Sequence, residues 1–171
     1  MPITRNFTSV DVANFINVKK EAYLKAVEDR FKIAGEQAVA YMRSLNTFQD
    51  QTANLRNSEG FMIYRDGKPI MESYPNDAKH NIRRRRRGEI LSSTEIRKRA
   101  SKGQGASAGK QLAKEVARQY APDEGFLLVV TAGMFYAVYV EAKGYDVITG
   151  GAKMTVKYIK KAMEDLNKKV S

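Results

Sequence analysis

Residues 126–144, FLLVVTAGMFYAVYVEAKG, are the most apolar stretch of a polar chain, so the rest of the chain is expected to pack around them. Phe126, Leu127, Leu128, Val129 and Val130 form an uninterrupted apolar run, which predicts a short strand buried on both faces. Thr131, Ala132 and Gly133 break the run. From Met134 to Ala142 the pattern fits a helix or a strand. Gly144 suits the residue just beyond a helix end and favours the helix.

With 171 residues the chain can bury one genuine core, and two full domains would be cramped. It contains no cysteine, no tryptophan and one histidine. That composition removes disulfides, thiolate metal sites and cysteine nucleophiles. The first residues lack the charged-then-apolar plan of a signal peptide, and no apolar run approaches the ~20 residues that cross a bilayer. The expectation is a protein made in a reducing cytoplasm and not bound to a membrane.

The charge is concentrated. The net formal charge is +11, and thirteen basic against three acidic residues fall within 79–118. The segments on either side are close to neutral. Residues 75–105 hold most of this excess, including the consecutive Arg83, Arg84, Arg85, Arg86 and Arg87 and a second cluster Arg97, Lys98 and Arg99, and they also hold His80. A loop of this length in a compact domain is functional or disordered, and a mobile basic excursion is expected here.

Elsewhere the periodicities are clearer. Thr8 or Ser9 can cap a helix with Asp11 in its first turn. Val12, Phe15, Ile16, Tyr23, Val27, Phe31, Ala34, Ala38, Tyr41, Met42 and Leu45 recur at steps of three and four, predicting one helix over about 10–45 with a bend at Gly35. At 1.5 Å per residue it is roughly 50 Å long, longer than such a domain is wide. Its stripe serves either the core of one monomer or a contact with another subunit.

Residues 60–64 and 70–74 flank Asp66-Gly67, a type I′ hairpin signal, with Pro69 marking an edge strand. A helix is expected over 107–120 with Leu112, Val116 and Tyr120 on one face. Gly150-Gly151 should break the chain before a last helix over about 152–170, whose stripe is Val156, Ile159, Met163 and Leu166. The expected fold is therefore one α+β domain spanning 1–171. It combines a long N-terminal helix, a small antiparallel sheet with a β-hairpin, two further C-terminal helices and one long basic loop.

No catalytic constellation emerges, and neither a metal nor a cofactor is expected. The tract Gly105-Ala106-Ser107-Ala108-Gly109-Lys110 approximates a phosphate loop. Gln104 stands where its first glycine belongs, however, and Gln111 where a Ser or Thr would hold magnesium. A hinge before a helix is the simpler reading. Glu141 is either a buried acid or a rim residue bonded to a loop or an arginine. The arginine run is the strongest physical feature. Five adjacent guanidiniums repel one another and invite anions, phosphates above all, through bidentate donation and counterion release. A protein partner or plain solvation are the other possibilities.

Thr52-Ala53-Asn54-Leu55-Arg56-Asn57-Ser58, leading into the hairpin, resembles the T-G-x-L-R-x-S element of tailed-phage neck or tail-completion proteins. Tyr136-Ala137-Val138-Tyr139-Val140-Glu141, followed by Gly144, is similar to the Y-A-x-x-V-E-x-G element of the same family. Ala53 departs from the usual glycine, the spacing to Gly144 is stretched, and no threonine follows it. The basic segment lies outside the pattern.

The resemblance implies a structural virion protein that is not an enzyme: a ring-forming subunit of the head–tail connector. It would contact portal, connector or tail neighbours and surround the channel for double-stranded DNA. Leu55, Arg56, Ser58, Tyr136, Ala137, Val140, Glu141 and Gly144 would then serve the fold, and the basic residues would face DNA or a neighbour. The alternative is a free, sequence-independent nucleic-acid binder using the arginine run.

Overall fold

The structure is a computed structural model and describes residues 8–45, 54–75 and 104–170. It is a mixed α+β fold. The elements are α1 (Ser9–Ser44), α2 (Asn54–Ser58), β1 (Glu59–Arg65), β2 (Lys68–Ser73), α3 (Gly105–Tyr120), β3 (Phe126–Ala132), α4 (Ala137–Ala142) and α5 (Thr149–Val170). The strands form an antiparallel sheet in the order β2-β1-β3.

The hairpin forms where the dipeptide requires it. Asp66 and Gly67 both take positive φ, 51° and 73°, and Arg65 pairs with Lys68 across the turn. Pro69 sits on β2, an edge strand, as expected of a residue with no N–H to donate. Asp66 also receives the Gly125 N–H on Oδ1 at 2.7 Å and returns its own N–H to the Gly125 carbonyl at 2.9 Å, which ties the hairpin to the approach of β3.

Alternate residues of β1 divide between the two faces of the sheet. Phe61 and Ile63 meet Val39 and Met42 of α1, with Phe31, Met71, Phe126, Leu128 and Val130 around them. Met62 and Tyr64 meet Ala113 and Ala117 of α3, with Val129. The sheet is thus sandwiched between α1 and α3, and α5 packs along α1.

Several expectations are corrected. The centre of the fold is β1, buried along almost its whole length, whereas 126–132 is an edge strand and only partly buried. Apolar content marks a strand as buried but does not order it within a sheet. The strand also runs through Thr131 and Ala132, so the break comes at Gly133.

Residues 137–142 are helical, and Gly144 takes φ 82° and donates to the Glu141 carbonyl, as the glycine ending a helix does. α1 is one continuous helix. Gly35 is a point of close approach, because a Cβ there would lie 2.7 Å from the Phe61 ring.

Of Leu112, Val116 and Tyr120, only Val116 packs inward, half-buried against the cluster of Met62 and Tyr64, while Leu112 and Tyr120 are exposed. The buried face of α3 is Gly105, Ala106, Gly109, Ala113 and Ala117. The supposed hinge is the first turn of this helix, docked against α2: a Cβ on Gly109 would lie 2.4 Å from the Ser58 carbonyl. Lys110 points outward to Glu72 at 2.7 Å.

Gly150 and Gly151 likewise belong to α5, where a Cβ on Gly151 would meet Met42 at 2.5 Å. Of the predicted α5 stripe, Leu166 is buried, Ile159 and Met163 are half-buried, and Val156 is exposed. In both helices small residues, which carry little hydrophobic signal, allow the close packing.

Candidate assembly site

Register divides the molecule into two ends. At the hairpin end lie Arg65, Lys68 and Phe126; at the opposite end lie Glu59, Ser73 and Ala132. α1 spans both. Arg43 donates from Nη2 to the Glu59 carbonyl at 2.7 Å, and Arg65 pairs with Glu21 at 3.3 Å near the hairpin. Burial pushes the Arg43 pKa down, and the attraction of Glu59 offsets part of that.

The two motif stretches converge at the end away from the hairpin. Leu55 of α2 is buried in one cluster with Ala132, Ala137 and Val147, and Met134, Tyr136, Val140 and Ile148 pack around it. Ser58, fully buried, donates its hydroxyl to the Leu55 carbonyl at 2.7 Å and closes the single turn of α2. Arg56, on the same turn, is half-buried.

Glu141 is a rim residue bonded to a loop. Its Oε2 accepts the N–H groups of Val147 at 2.7 Å and Ile148 at 3.1 Å, and its Oε1 that of Thr149 at 3.3 Å, where α5 begins. Burial pushes the carboxyl pKa up, but hydrogen bonds from the Thr149 side chain and these backbone groups outweigh it and hold the value below the ordinary one. A carboxylate at a helix N-terminus also complements the helix dipole.

The sign of the pH effect follows. A depressed folded pKa gives stability that is present above the unfolded value, near 4.5, and lost as pH falls through the folded one. Glu141→Gln should therefore lower the unfolding free energy at pH 7, by about 1 kcal/mol by analogy with capping losses. It should also reduce the further loss between pH 5 and 3 relative to the parent. Denaturation curves at both pH values measure this, and identical pH slopes would count against it.

The sequence expectation placed Tyr136, Ala137, Val140 and Glu141 together in the fold, and the structure divides the surrounding stretch. Tyr136, Ala137 and Val140 face the cluster. Phe135, Val138 and Tyr139 are exposed, an apolar patch on the outside of this end. The signal was an excess: a six-residue helix cannot bury apolar residues all round.

A trio that sequence reasoning missed stands nearby. Tyr74 Oη lies 2.8 Å from Thr131 Oγ1 and donates to the Gly109 carbonyl at 3.3 Å, which also accepts from Thr131. Burial, partly offset by the bond to Thr131, pushes the Tyr74 pKa up to about 12.

Arg83, Arg84, Arg85, Arg86, Arg87, Arg97, Lys98, Arg99 and His80 lie outside the described residues. The described residues nearest to them in the chain are Pro75 and Gln104. Tyr74 is bonded to Gly109, and the Gln104 N–H to Asn54 Oδ1 at 3.3 Å. Both flanks of the basic segment therefore sit at the motif end of the sheet.

Among the described residues there is no group of three or more His, Cys, Asp or Glu placed to hold a metal ion, and no helix is long and apolar enough to cross a membrane. No family model, curated protein or solved structure matches the chain.

Proposed function

We propose that the chain is a structural virion protein of a tailed phage, a subunit that forms a ring with its own copies in the head–tail connector. One observation supports this most. The two stretches that resemble neck proteins lie far apart in sequence, yet they share one buried cluster built on Leu55, Ala137 and Val147. They act as parts of a single structural unit, as residues serving a fold should. An exposed apolar patch, Phe135, Val138 and Tyr139, adjoins that cluster and offers a surface to a neighbour. The basic segment leaves from the same end, where it would meet DNA phosphates in the channel or an adjacent ring.

The native mass of the protein, alone and in gently disrupted particles, tests this reading. A multi-copy ring in particles is the expected result, and absence from particles overturns it. The concentrated charge of residues 79–118 favours a second reading, a free nucleic-acid binder. In either case, changing Arg83, Arg84, Arg85, Arg86 and Arg87 to Gln should weaken binding to random-sequence duplex DNA and flatten its salt dependence. Each lost phosphate contact should reduce the slope by about 1. Unchanged binding in a filter or anisotropy titration would remove the phosphate role of the run.

A further inference from the structure

The hairpin end carries a feature that the neck reading does not use. α1 is 36 residues long, and every side chain from Ser9 to Tyr23 is exposed. The far end is nonetheless built as a helix start. The Thr8 hydroxyl caps the Asp11 N–H at 3.2 Å while Asp11 accepts the Thr8 N–H at 2.8 Å, a reciprocal capping box. Val12, Ile16 and Tyr23 continue, at helical spacing, the stripe of Val27, Arg30, Ala34 and Ala38.

Further down α1 that stripe is covered by α5, which runs antiparallel to it. Gly151 abuts Met42, and the Arg30 Nε donates to the Ala162 carbonyl at 3.2 Å. Carried eight residues on from this contact in both helices, the antiparallel register brings the end of α5, at residue 170, level with residue 22. The cover stops where the exposed stripe begins. Phe15 and Ile16, 63% and 58% exposed, lie at the middle of the uncovered part.

We infer that a second copy of the same chain covers this stripe, its α1 lying antiparallel to the first about a twofold axis between Phe15 and Ile16. Three observations select this occupant and direction. Between Ser9 and Val18 the only charge is Asp11, while Lys19 and Lys20 follow at once, and Glu21 is engaged with Arg65 of its own chain. An antiparallel pair sets Asp11 of each copy beside Lys20 of the other, and Phe15 beside Ile16; a parallel pair would set the lysines against each other.

The second copy's α1 then runs in the same direction as α5 and begins where α5 ends. It prolongs the row of side chains that already covers α1, with its positive N-terminus facing the negative C-terminus of α5. The overhang also matches itself in length: Ser9 of one copy reaches Ala22 of the other, just short of the body. A stripe about 20 Å long makes a small interface, below about 1,200 Å² in total, so the dimer should be weak and concentration-dependent.

The pairing stands independently of the neck reading. It can hold in a protein absent from particles, and a ring in particles does not establish it. Analytical ultracentrifugation of the purified protein at tens to hundreds of micromolar should show a monomer–dimer equilibrium. Ile16→Arg, an exposed substitution, should weaken it about tenfold or more.

Because the chain has no cysteine, introduced thiols report the geometry. Phe15→Cys, next to the twofold, should form a disulfide dimer on mild oxidation. Val12→Cys alone should not, and Val12→Cys combined with Lys19→Cys should. A monomer throughout the concentration range overturns the inference. So does a dimer indifferent to Ile16→Arg, or ready cross-linking of Val12→Cys alone, the mark of a parallel pair.

Discussion

Replacing Gly109 with valine should unseat α3 from the sheet and lower the unfolding free energy by about 3 kcal/mol, the upper part of the range for overpacking. The first atom added has nowhere to go. A Cβ would lie 2.4 Å from the Ser58 carbonyl oxygen and 2.7 Å from the Tyr74 ring, and a Cβ on Gly133 would meet Gly109 Cα at 2.5 Å. The Ser58 backbone and a Tyr74 ring held by its own hydrogen bonds form this wall, and neither gives way easily. Relief requires α3 to move outward, which opens the contacts of Ala113 and Ala117 with Met62 and Tyr64 and stretches the bonds of Tyr74 and Thr131 to the Gly109 carbonyl. Gln111→Val, on the exposed side of the same helix, loses only a solvent-exposed bond to Glu115 at 3.0 Å and carries the β-branched helix cost, together about 1 kcal/mol. Urea unfolding of the two variants against the parent distinguishes them. Equal midpoints for Gly109→Val and Gln111→Val would mean that α3 does not depend on this close contact.

Gly109 also shows where sequence reasoning stops. The hairpin was legible because Asp66-Gly67 solves a local backbone problem, and positive φ at both positions is set by the dipeptide itself. The length of α1 was legible because a stripe at steps of three and four survives over many turns. Gly109, Gly150 and Gly151 resist such reading. A glycine that loosens a chain and one that admits a neighbouring backbone look alike until the neighbour is known.

The same limit explains α3. Its side chains Leu112 and Tyr120 are far larger than those of Ala106, Ala113 and Ala117 and dominate the sequence pattern, yet close approach to the sheet selects the small residues. It also explains why the most apolar strand is not the central one. β1 holds a buried Glu59 and a Gly60 against which the Tyr74 ring packs, features that lower its hydrophobic signal while marking how tightly it is enclosed. For the candidate site, Glu141 was legible as a rim residue. Its partners were not, because three N–H groups at the start of α5 have no signature in side-chain sequence.

Leu55→Ala should cost about 2–5 kcal/mol, and the way that loss is distributed carries the information. Leu55 is buried against Ala132, Ala137 and Val147. Val147 in turn donates to the Glu141 carboxylate that anchors the start of α5. A cavity at Leu55 therefore loosens α4 and the loop that presents these N–H groups, so the first turn of α5 should lose protection together with α2. In hydrogen exchange, the amides of Thr149, Gly150 and Gly151 should open faster in Leu55→Ala than in Leu128→Ala, a change on the α1 side of the sheet, once each is corrected for its global loss. A double-mutant cycle sharpens the point. Leu55 and Glu141 share no direct bond, but both act on Val147, so Leu55→Ala and Glu141→Gln should be coupled by more than about 0.5 kcal/mol. Additive losses would mean that the two motif stretches stabilise the protein separately. The proposal that they form one structural unit at this end of the sheet would then lose its main support.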